Sequence, residues 1–224
     1  MSTREQGVVP ATPRIRQLHG DCTSAVEEFC TWVCSAFEND PITLPASGGD
    51  ISVSEYIYRS FVATTLLEGE VFVASHADSH PDAIDAIALW FPPGVDFLSS
   101  ERQQAVWEDV FGKRLNADGR CFWETQYEHA VHQATTRSKL SANELTQMWH
   151  LQILAVRPSM QGRGLGKALV KDMQAKAVGQ KMRLETFTEK NVKLYENWGF
   201  EVVGVSDSVV TEHGAFSVTC MSSI

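Results

Sequence analysis

Apolar residues in the first 111 positions repeat at two spacings, one typical of helices and the other typical of strands. The spacing predicts strands at 15–18, 70–75 and 85–91, and helices at 21–39, 52–67 and 101–111. The first helix is expected to begin at Asp21 or Thr23 and to end near Asn39, because Pro41 disfavours helical backbone in the residue before it. Turn-forming residues at 79–82 separate two apolar strands, which predicts an antiparallel hairpin.

The pattern is weak in the middle of the chain and strongest after residue 147. Residues 112–147 are polar and predict only one or two helices, at 121–135 and 141–147. A run rich in apolar residues at 148–156 predicts a central strand, and a glycine-rich turn follows it. Beyond the turn we expect a helix at 165–178, a strand at 182–187, a helix at 190–198 and strands at 200–205 and 216–221.

Length and composition fit one globular domain and argue against several kinds of protein. The chain has 224 residues, 43% hydrophobic and 21% charged, so we expect a flexible tail at 1–12 and a single domain at 13–224. The formal net charge of −9 argues against binding to nucleic acid, which requires clustered Lys and Arg. No apolar run of roughly 18 residues predicts a membrane span, and no secretion signal follows Met1. The five cysteines, which include no Cys-x-x-Cys pair, are expected to be reduced in the cytoplasm.

The order of strand, glycine-rich turn and helix around residue 162 is one that binds phosphate. The first amides of a helix have no partner within it, and the helix dipole adds partial positive charge there. A pyrophosphate at this end accepts hydrogen bonds from those amides. Arg163 and Lys167 add positive charge. Three glycines let a ligand approach the backbone closely, namely Gly162, Gly164 and Gly166.

The spacing of these residues excludes two other phosphate-binding loops. A Walker A loop needs Ser or Thr where Ala168 stands, and a glycine where Gln161 stands. A dinucleotide fingerprint needs Gly or Ala at a position that is Lys167 or Leu169 here, depending on the starting glycine. A glycine loop without a ligand is the remaining alternative, but repeated glycines destabilise a fold unless something uses them.

The pattern that fits this segment is Gln161-x-x-Gly164-x-Gly166, preceded by Leu154-Ala155-Val156-x-Pro158. It resembles the acetyl-CoA motif of the GCN5-related N-acetyltransferase (GNAT) superfamily. A second stretch also resembles that family and follows in the expected order, with Glu185-Thr186, Asn191 and Tyr195-x-x-x-Gly199-Phe200. The resemblance is strongest at 148–205. It implies an α/β (α+β) fold with a mixed, mostly antiparallel central sheet flanked by helices.

The resemblance also implies roles for residues, with acetyl-CoA as co-substrate and no metal. Backbone groups of Leu154, Ala155 and Val156 would pair with the pantetheine arm as if it were an added strand. Asn191 would contact the pantetheine or the thioester, and Tyr195 would protonate the departing thiolate. Amides of 162–167 would hold the pyrophosphate. The residues of this segment expected to bind the co-substrate are Gln161, Gly162, Arg163, Gly164, Leu165, Gly166 and Lys167.

Acetyl transfer to an amine requires a group that accepts the amine proton. His150 precedes the motif on the predicted central strand, and several family members carry Glu or His at the matching position. An imidazole titrates near neutral pH, which suits a base acting directly or through water. A histidine satisfied by hydrogen bonds in the core is the structural alternative.

The expected acceptor is the primary amine of a small molecule, because the segment 89–94 is similar to sequence in family members that acetylate small molecules. The alternatives are a protein lysine or N-terminus, a non-catalytic acyl-CoA-binding module and a dinucleotide oxidoreductase. Glu124 and Glu128 are expected to form a solvated helix face. Core packing is expected for most of the aromatic residues that also fit an acceptor pocket, which are Trp32, Phe37, Trp90, Phe122, Trp123 and Tyr127.

Overall fold

The sheet at the centre of the molecule is built from the apolar runs of the sequence. The computed structural model describes residues 12–20 and 22–223. Seven strands form one sheet in the order β1-β2-β3-β4-β5-β9-β6, and β7 and β8 form a separate hairpin. The strands are β1 (Arg14–Leu18), β2 (Glu70–Ser75), β3 (Ala86–Phe91), β4 (Trp149–Val156), β5 (Met182–Thr186), β6 (Phe200–Val205), β7 (Val209–Thr211), β8 (Gly214–Phe216) and β9 (Thr219–Ser223).

Helices cover both faces of this sheet. The α-helices are α1 (Thr23–Cys30), α2 (Val33–Ala36), α3 (Thr43–Ala46), α4 (Ser54–Glu68), α5 (Glu101–Val110), α6 (Ala117–Cys121), α7 (Glu128–Thr136), α8 (Ala142–Thr146), α9 (Leu165–Lys176) and α10 (Glu189–Glu196). A π-helical turn, Phe122–Tyr127, joins α6 to α7. Turns of 3-10 helix lie at Ile51–Val53, Gly112–Arg114 and Pro158–Met160.

Neighbouring strands of the sheet are antiparallel except for β4 and β5, which run parallel. The predicted mixed, mostly antiparallel sheet flanked by helices is therefore confirmed. So is the predicted hairpin, which is formed by β2 and β3.

Both faces of the sheet are buried, as the continuous apolar runs of β2 and β3 indicate. In β2, Val71 and Val73 belong to one apolar cluster, whereas Phe72 and Ala74 belong to another. Successive side chains of a strand point to opposite faces, so the two clusters lie on the two sides of the sheet. Side chains of α4 join the first cluster and those of α9 join the second.

The helix predicted at 21–39 is divided into α1 and α2. The hydroxyl of Thr31 donates a hydrogen bond to the carbonyl of Glu28 (2.7 Å) where α1 ends. Local bonds of this kind compete with continuation of a helix. Asp21, one of the two predicted starting residues, lies outside the described residues.

The middle of the chain is more helical than its polar composition predicts. The helical run from α6 to α7 begins before the predicted 121–135, because the Asn116 side chain caps it by accepting from the amide of Gly119 (2.9 Å). The second predicted helix, at 141–147, corresponds to α8. A capping box of Ser141 and Glu144 starts it.

The strand predicted at 216–221 is wrong. The chain instead forms the end of β8, a two-residue break and then β9, and the β7–β8 hairpin was not predicted. Ser206 causes the break, because its amide donates to the carbonyl of Val218 (2.9 Å) while its hydroxyl accepts from the amide of Val218 (2.9 Å). The backbone groups of Val218 are therefore hydrogen-bonded to Ser206 and not to a neighbouring strand of either sheet.

The predicted tail at 1–12 lies outside the described residues except for Thr12, and the single domain at 13–224 stays a prediction. Within 12–20 and 22–223, no helix has both the length and the apolar character needed to cross a membrane.

Candidate active site

A wedge-shaped opening separates β4 from β5 near the centre of the sheet. The two strands pair from Trp149 to Leu151 of β4 and no further. On the other edge, the pairing of β4 with β3 skips Gln152, which forms a β-bulge. Because a bulge bends its strand, β4 continues to Val156 without β5 beside it.

The last residues of β4 offer backbone groups to this opening. The amide of Arg157 donates to the carbonyl of Asp85 on the β3 side (2.8 Å). Because backbone groups alternate between the two edges of a strand, the N–H and C=O groups of Leu154 and Val156 face the opening, and those of Ala155 face β3. Leu154 and Val156 therefore fit the predicted pairing with a pantetheine arm, whereas the backbone groups of Ala155 do not.

The glycine-rich turn leads from the end of β4 into α9. Gly162 and Gly164 have φ angles of 76° and 80°, in the left-handed region that favours glycine. A Cβ at either position would meet no atom within 4 Å, so the space beside the turn is open. Gly164 is the N-cap of α9, and no side chain caps that end. The first amides of α9 are therefore available to an anion.

Gly166, in contrast, faces the interior. A Cβ there would lie at ordinary van der Waals distance, 3.4 Å, from the side chains of Trp198 and Val156, so its missing side chain leaves no space for a ligand beside the turn. Leu165 is likewise 1% exposed and belongs to the core. These positions correct the prediction that all three glycines admit the ligand. Leu165 and Gly166 can contribute to a phosphate site through their main-chain amides, but not through their side-chain positions.

The polar side chains of the turn are exposed. Gln161 Nε2 donates to the carbonyl of Val156 (3.3 Å) and ties the turn to β4. Arg163 and Lys167 lie where cations would face a bound anion, beside the positive end of the α9 dipole. The start of α10 differs, because the hydroxyl of Thr188 already accepts from the amide of Asn191 (3.2 Å).

A narrow cavity, which we name the transfer groove, extends from the opening toward α10. Its walls include Asn191 and Tyr195, which the motif predicted, together with Gln152 and Asp40. Asp40 lies between α2 and α3. The sequence reasoning missed Asp40 because it used the Asp40-Pro41 pair only as a sign that a helix ends.

Aromatic packing sets the position of Tyr195 in this groove. Its ring packs edge-on against Trp198 (5.4 Å between centroids) and Phe200 (5.9 Å). Burial, reinforced by the negative charge of Asp40, raises the pKa of Tyr195. The hydroxyl is therefore protonated at neutral pH and can donate a hydrogen bond or a proton.

The pKa of the Asp40 carboxyl group is shifted in the direction that suits a base. Burial raises its pKa, and the amide of Ile42, 3.2 Å from Oδ1, opposes that effect only in part. A carboxylate whose pKa lies closer to neutrality accepts a proton more readily.

His150 belongs to a group of four side chains, which we name the charge network: Asp96, which is partly exposed, and the more deeply buried His150, Arg183 and Glu185. Nδ1 of His150 lies 2.7 Å from Oδ1 of Asp96, and Nε2 lies 2.6 Å from Oε2 of Glu185. Arg183 donates to both carboxylates, with Nη1 2.8 Å from Oε1 of Glu185. Sequence reasoning found His150 from its place before the motif. It missed the three partners, which are brought to His150 by the β4–β5 register and the segment after β3.

The network favours a doubly protonated imidazole. Burial and the charge of Arg183 act to lower the pKa of His150, but the carboxylates of Glu185 and Asp96 outweigh them and raise it. Burial acts to raise the pKa of each carboxyl, but His150 and Arg183 lower both values. The predicted direct-base role needs a neutral ring with a free nitrogen, and this setting offers neither.

The charge network should make the stability of the fold depend on pH. A raised histidine pKa contributes stability that is complete below about pH 6.5 and is lost as pH rises through the folded value. The lowered pKa values of the Asp96 and Glu185 carboxyls contribute stability that is present above about pH 4 and is lost in acid. We expect urea unfolding between pH 4 and 9 to show the alkaline decline in wild type and a weaker decline in His150→Gln. Parallel curves for the two proteins above pH 6.5 would contradict this assignment.

A second cavity of about 850 Å³, which we name the acceptor cavity, extends from the charge network. Gln152, Trp123 and Glu185 line both cavities, so the two meet at the bulge of β4. The π-helical turn positions Trp123, whose Nε1 donates to the carbonyl of Ala46 (2.9 Å).

The structure divides the candidate pocket residues into two groups. Trp32, Trp90 and Phe122 are buried in the core, as expected for most of the aromatic residues. Trp123 and Tyr127 line the acceptor cavity and Phe37 lines the transfer groove. Glu124 and Glu128 are exposed, as expected for a helix face, but they also line the acceptor cavity.

Away from both cavities, ligand atoms of Asp118, Glu212 and His213 lie within 4.8 Å of one another. His213 Nε2 is 3.5 Å from the Asp118 carboxylate, which accounts for the grouping as an ion pair. The expectation that the reaction uses no metal stays a prediction.

Comparisons with known proteins give one matching domain model and several structures of similar fold. Residues 118–202 match the model of the acetyltransferase (GNAT) domain. The chain is similar in structure to a histone acetyltransferase HPA2 and related acetyltransferase from Corynebacterium glutamicum, at 19% identity over 94% of each chain and a TM-score of 0.59.

Two further solved structures are similar in fold. Arylalkylamine N-acetyltransferase 2 from Aedes aegypti matches at 14% identity over 95% of this chain and 98% of its own, with a TM-score of 0.61. A polyamine N-acetyltransferase from Drosophila melanogaster matches at 13% identity over 94% of this chain and 99% of its own, with a TM-score of 0.51. A search of curated protein sequences found no match.

Proposed function

Because residues 118–202 match the GNAT acetyltransferase domain and the fold is similar to that of solved acetyltransferases, we propose that this chain transfers an acetyl group from acetyl-CoA to the primary amine of a small molecule. The amine attacks the thioester directly in a ternary complex. A protein lysine or N-terminus is the alternative acceptor, and a non-catalytic acyl-CoA sensor is the alternative function.

The observation that carries the proposal is the continuity of three features. The uncapped amides of α9 lie beside the end of β4, the backbone of Leu154 and Val156 faces the opening, and the opening leads to Tyr195. A diphosphate, an extended amide-bearing arm and a thioester follow one another in acetyl-CoA in the same order. The residues present thus fit each part of the co-substrate.

A small acceptor is supported by the shape of the second cavity. Its volume of about 850 Å³ is within the range of small-molecule pockets. It meets the transfer groove at Gln152, so an amine in one cavity can reach an acetyl group in the other. The similar proteins from Aedes and Drosophila are named for arylalkylamine and polyamine acceptors.

The reaction forms a nitrogen–carbon bond and breaks a carbon–sulfur bond. Acetyl-CoA supplies the thioester carbonyl that the amine attacks. Backbone N–H groups at the end of β4 would donate hydrogen bonds to the developing oxyanion. Tyr195 gives its hydroxyl proton to the leaving sulfur, and a base takes the proton that the amine nitrogen loses.

We assign the base to Asp40 in preference to His150. Asp40 lines the same groove as Tyr195, and burial raises its pKa. The imidazole of His150 must first lose a proton from a ring that two carboxylates hold in the charged form. His150 then acts through Glu185, which lines both cavities, by fixing the orientation of that carboxylate.

Asp40→Asn should lower kcat about 100-fold, in the range that general-base groups contribute. Asparagine keeps the oxygen that accepts from Ile42, so the loop is expected to stay in place. A base works when deprotonated, so wild-type kcat should rise with pH through the raised pKa of Asp40, and this limb should disappear in Asp40→Asn. Steady-state kcat from pH 4 to 9 measures it. If the rise of kcat with pH remained in Asp40→Asn but was lost in His150→Gln, the base would be His150 and not Asp40.

The function itself is tested by CoA release with a panel of primary amines. Turnover with at least one amine is the expected result, and a thermal-shift comparison should show stabilisation by acetyl-CoA and none by NAD. Binding of acetyl-CoA without turnover on small amines, peptides with free N-termini or lysine peptides would favour the sensor. Absence of binding would remove the proposed function altogether.

A further inference from the structure

The acceptor cavity has an excess of negative charge at its outer end. Its inner end is the charge network, in which two carboxylates and two cations neutralise one another. The outer carboxylates belong to Glu108, Glu124 and Glu128. These three carboxylates differ in whether a basic side chain already forms an ion pair with them.

Arg120 satisfies only part of this outer charge. Its guanidinium forms two hydrogen bonds to Glu108, at 2.7 and 3.3 Å. Glu124 lies 3.7 Å from the same guanidinium, beyond hydrogen-bond distance. Glu128 has no cation within ion-pair distance among the residues that the structure describes. Glu124 and Glu128 are four positions apart on one helical run, so both carboxylates face the same end of the cavity.

Aromatic faces connect this outer end with the transfer groove. Trp107, Trp123 and Tyr127 line the cavity between the exposed carboxylates and the bulge of β4. Their rings pack edge to face, with Trp123 6.2 Å from Trp107 and 5.2 Å from Tyr127. Such walls suit an alkyl chain along their faces, and they attract an ammonium group by cation–π interaction.

From this arrangement we infer that the acceptor is an aliphatic diamine, whose second ammonium group is bound by Glu124 and Glu128. This inference rests on the proposed function and specifies its substrate class. One amine lies at Gln152 beside the acetyl group, the alkyl chain crosses the aromatic wall, and the other ammonium offsets the outer carboxylates. A monoamine of equal length leaves Glu128 without a cationic partner among the described residues and Glu124 with only its 3.7 Å contact to Arg120.

The test compares terminal diamines with monoamines of matched chain length. Diaminobutane, diaminohexane and diaminooctane are measured against butylamine, hexylamine and octylamine, and phenylethylamine represents aromatic monoamines. At one chain length the diamine should exceed its monoamine in kcat/KM by about tenfold, as an exposed ion pair and a cation–π contact together provide. Added salt should narrow that ratio, because screening weakens exposed charge pairs.

The variant that tests the carboxylates is the double substitution Glu124→Gln and Glu128→Gln, which preserves side-chain size. It should reduce the diamine-to-monoamine ratio to about one, mainly through KM. Glu201→Gln, a single change of the same type at an exposed position of β6, should leave the ratio as in wild type. Equal turnover of monoamines and diamines by wild type, or a ratio unaffected by the double substitution, would overturn the inference. If none of the amines were acetylated, the result would contradict the proposed function itself and not the preference for diamines.

Discussion

Replacement of Gly164 by Glu is expected to abolish the stabilisation of the fold by acetyl-CoA. A ligand that binds only the folded state adds about 2.7 kcal/mol at 100 times its Kd. For a chain of this size, that corresponds to a rise of about 5–10 °C in Tm. In Gly164→Glu, the new carboxylate stands in the open space beside the turn and repels the diphosphate, so the rise should disappear.

The control for this prediction is Gly164→Gln. The φ angle of Gly164 is 80°, so every other residue there carries backbone strain of about 1–2 kcal/mol. Both variants should therefore lose a similar amount of Tm without ligand, and only the response to acetyl-CoA separates them. Glutamine has nearly the size of glutamate without its charge, so it should keep part of the rise.

Thermal melts with and without acetyl-CoA give the result directly, and calorimetry gives the affinity. If acetyl-CoA raised the Tm of Gly164→Glu as much as that of wild type, the diphosphate could not be bound at the start of α9. An equal loss in both variants would mean that side-chain bulk, and not charge, excludes the co-substrate.

The parts of the fold that sequence reasoning predicted are those in which local signals agree with one another. The apolar runs of β2, β3 and β4, and the spacing of buried residues on α9, depend on burial periods of two and 3.6 residues. Gly162 and Gly164 were predictable because only glycine adopts their backbone conformation without strain. The family motif then supplied Asn191 and Tyr195, which the structure brings to one groove.

The parts that escaped prediction depend on contacts between distant residues. The charge network joins Asp96 to Arg183, which are separated by 87 positions, and no local pattern encodes such a pair. The break between β8 and β9 follows from hydrogen bonds to Ser206, twelve positions away. Ala155 was assigned with its neighbours because a motif does not say which edge of a strand a backbone group faces.

Asp40 illustrates the same limit at the candidate site. An Asp-Pro pair is a common helix terminus, so the sequence gives it a local explanation. Its position on the wall of the transfer groove depends on how α2 and α3 pack against β4. Only the assembled structure shows that this carboxyl is buried and that its charge acts on Tyr195.

Tyr195→Phe is expected to lower kcat about 100-fold or more, because the leaving thiolate loses its proton donor. The phenyl ring keeps the edge-on packing against Trp198 and Phe200, so Tm and its rise with acetyl-CoA should stay close to wild type. Tyr56→Phe is the matched control. Tyr56 lies under the guanidinium of Arg114, and the same hydroxyl is removed there without touching the groove.

The pH profile separates this acid from the base. The raised pKa of Tyr195 places its ionisation above the range of the assay, so Tyr195→Phe should lower kcat at every pH and leave the shape of the profile unchanged. Asp40→Asn should change the shape. A kcat within threefold of the Tyr56→Phe control would show that the thiolate leaves without help from Tyr195, as a hydroxyl absent from the transition state costs nothing to remove.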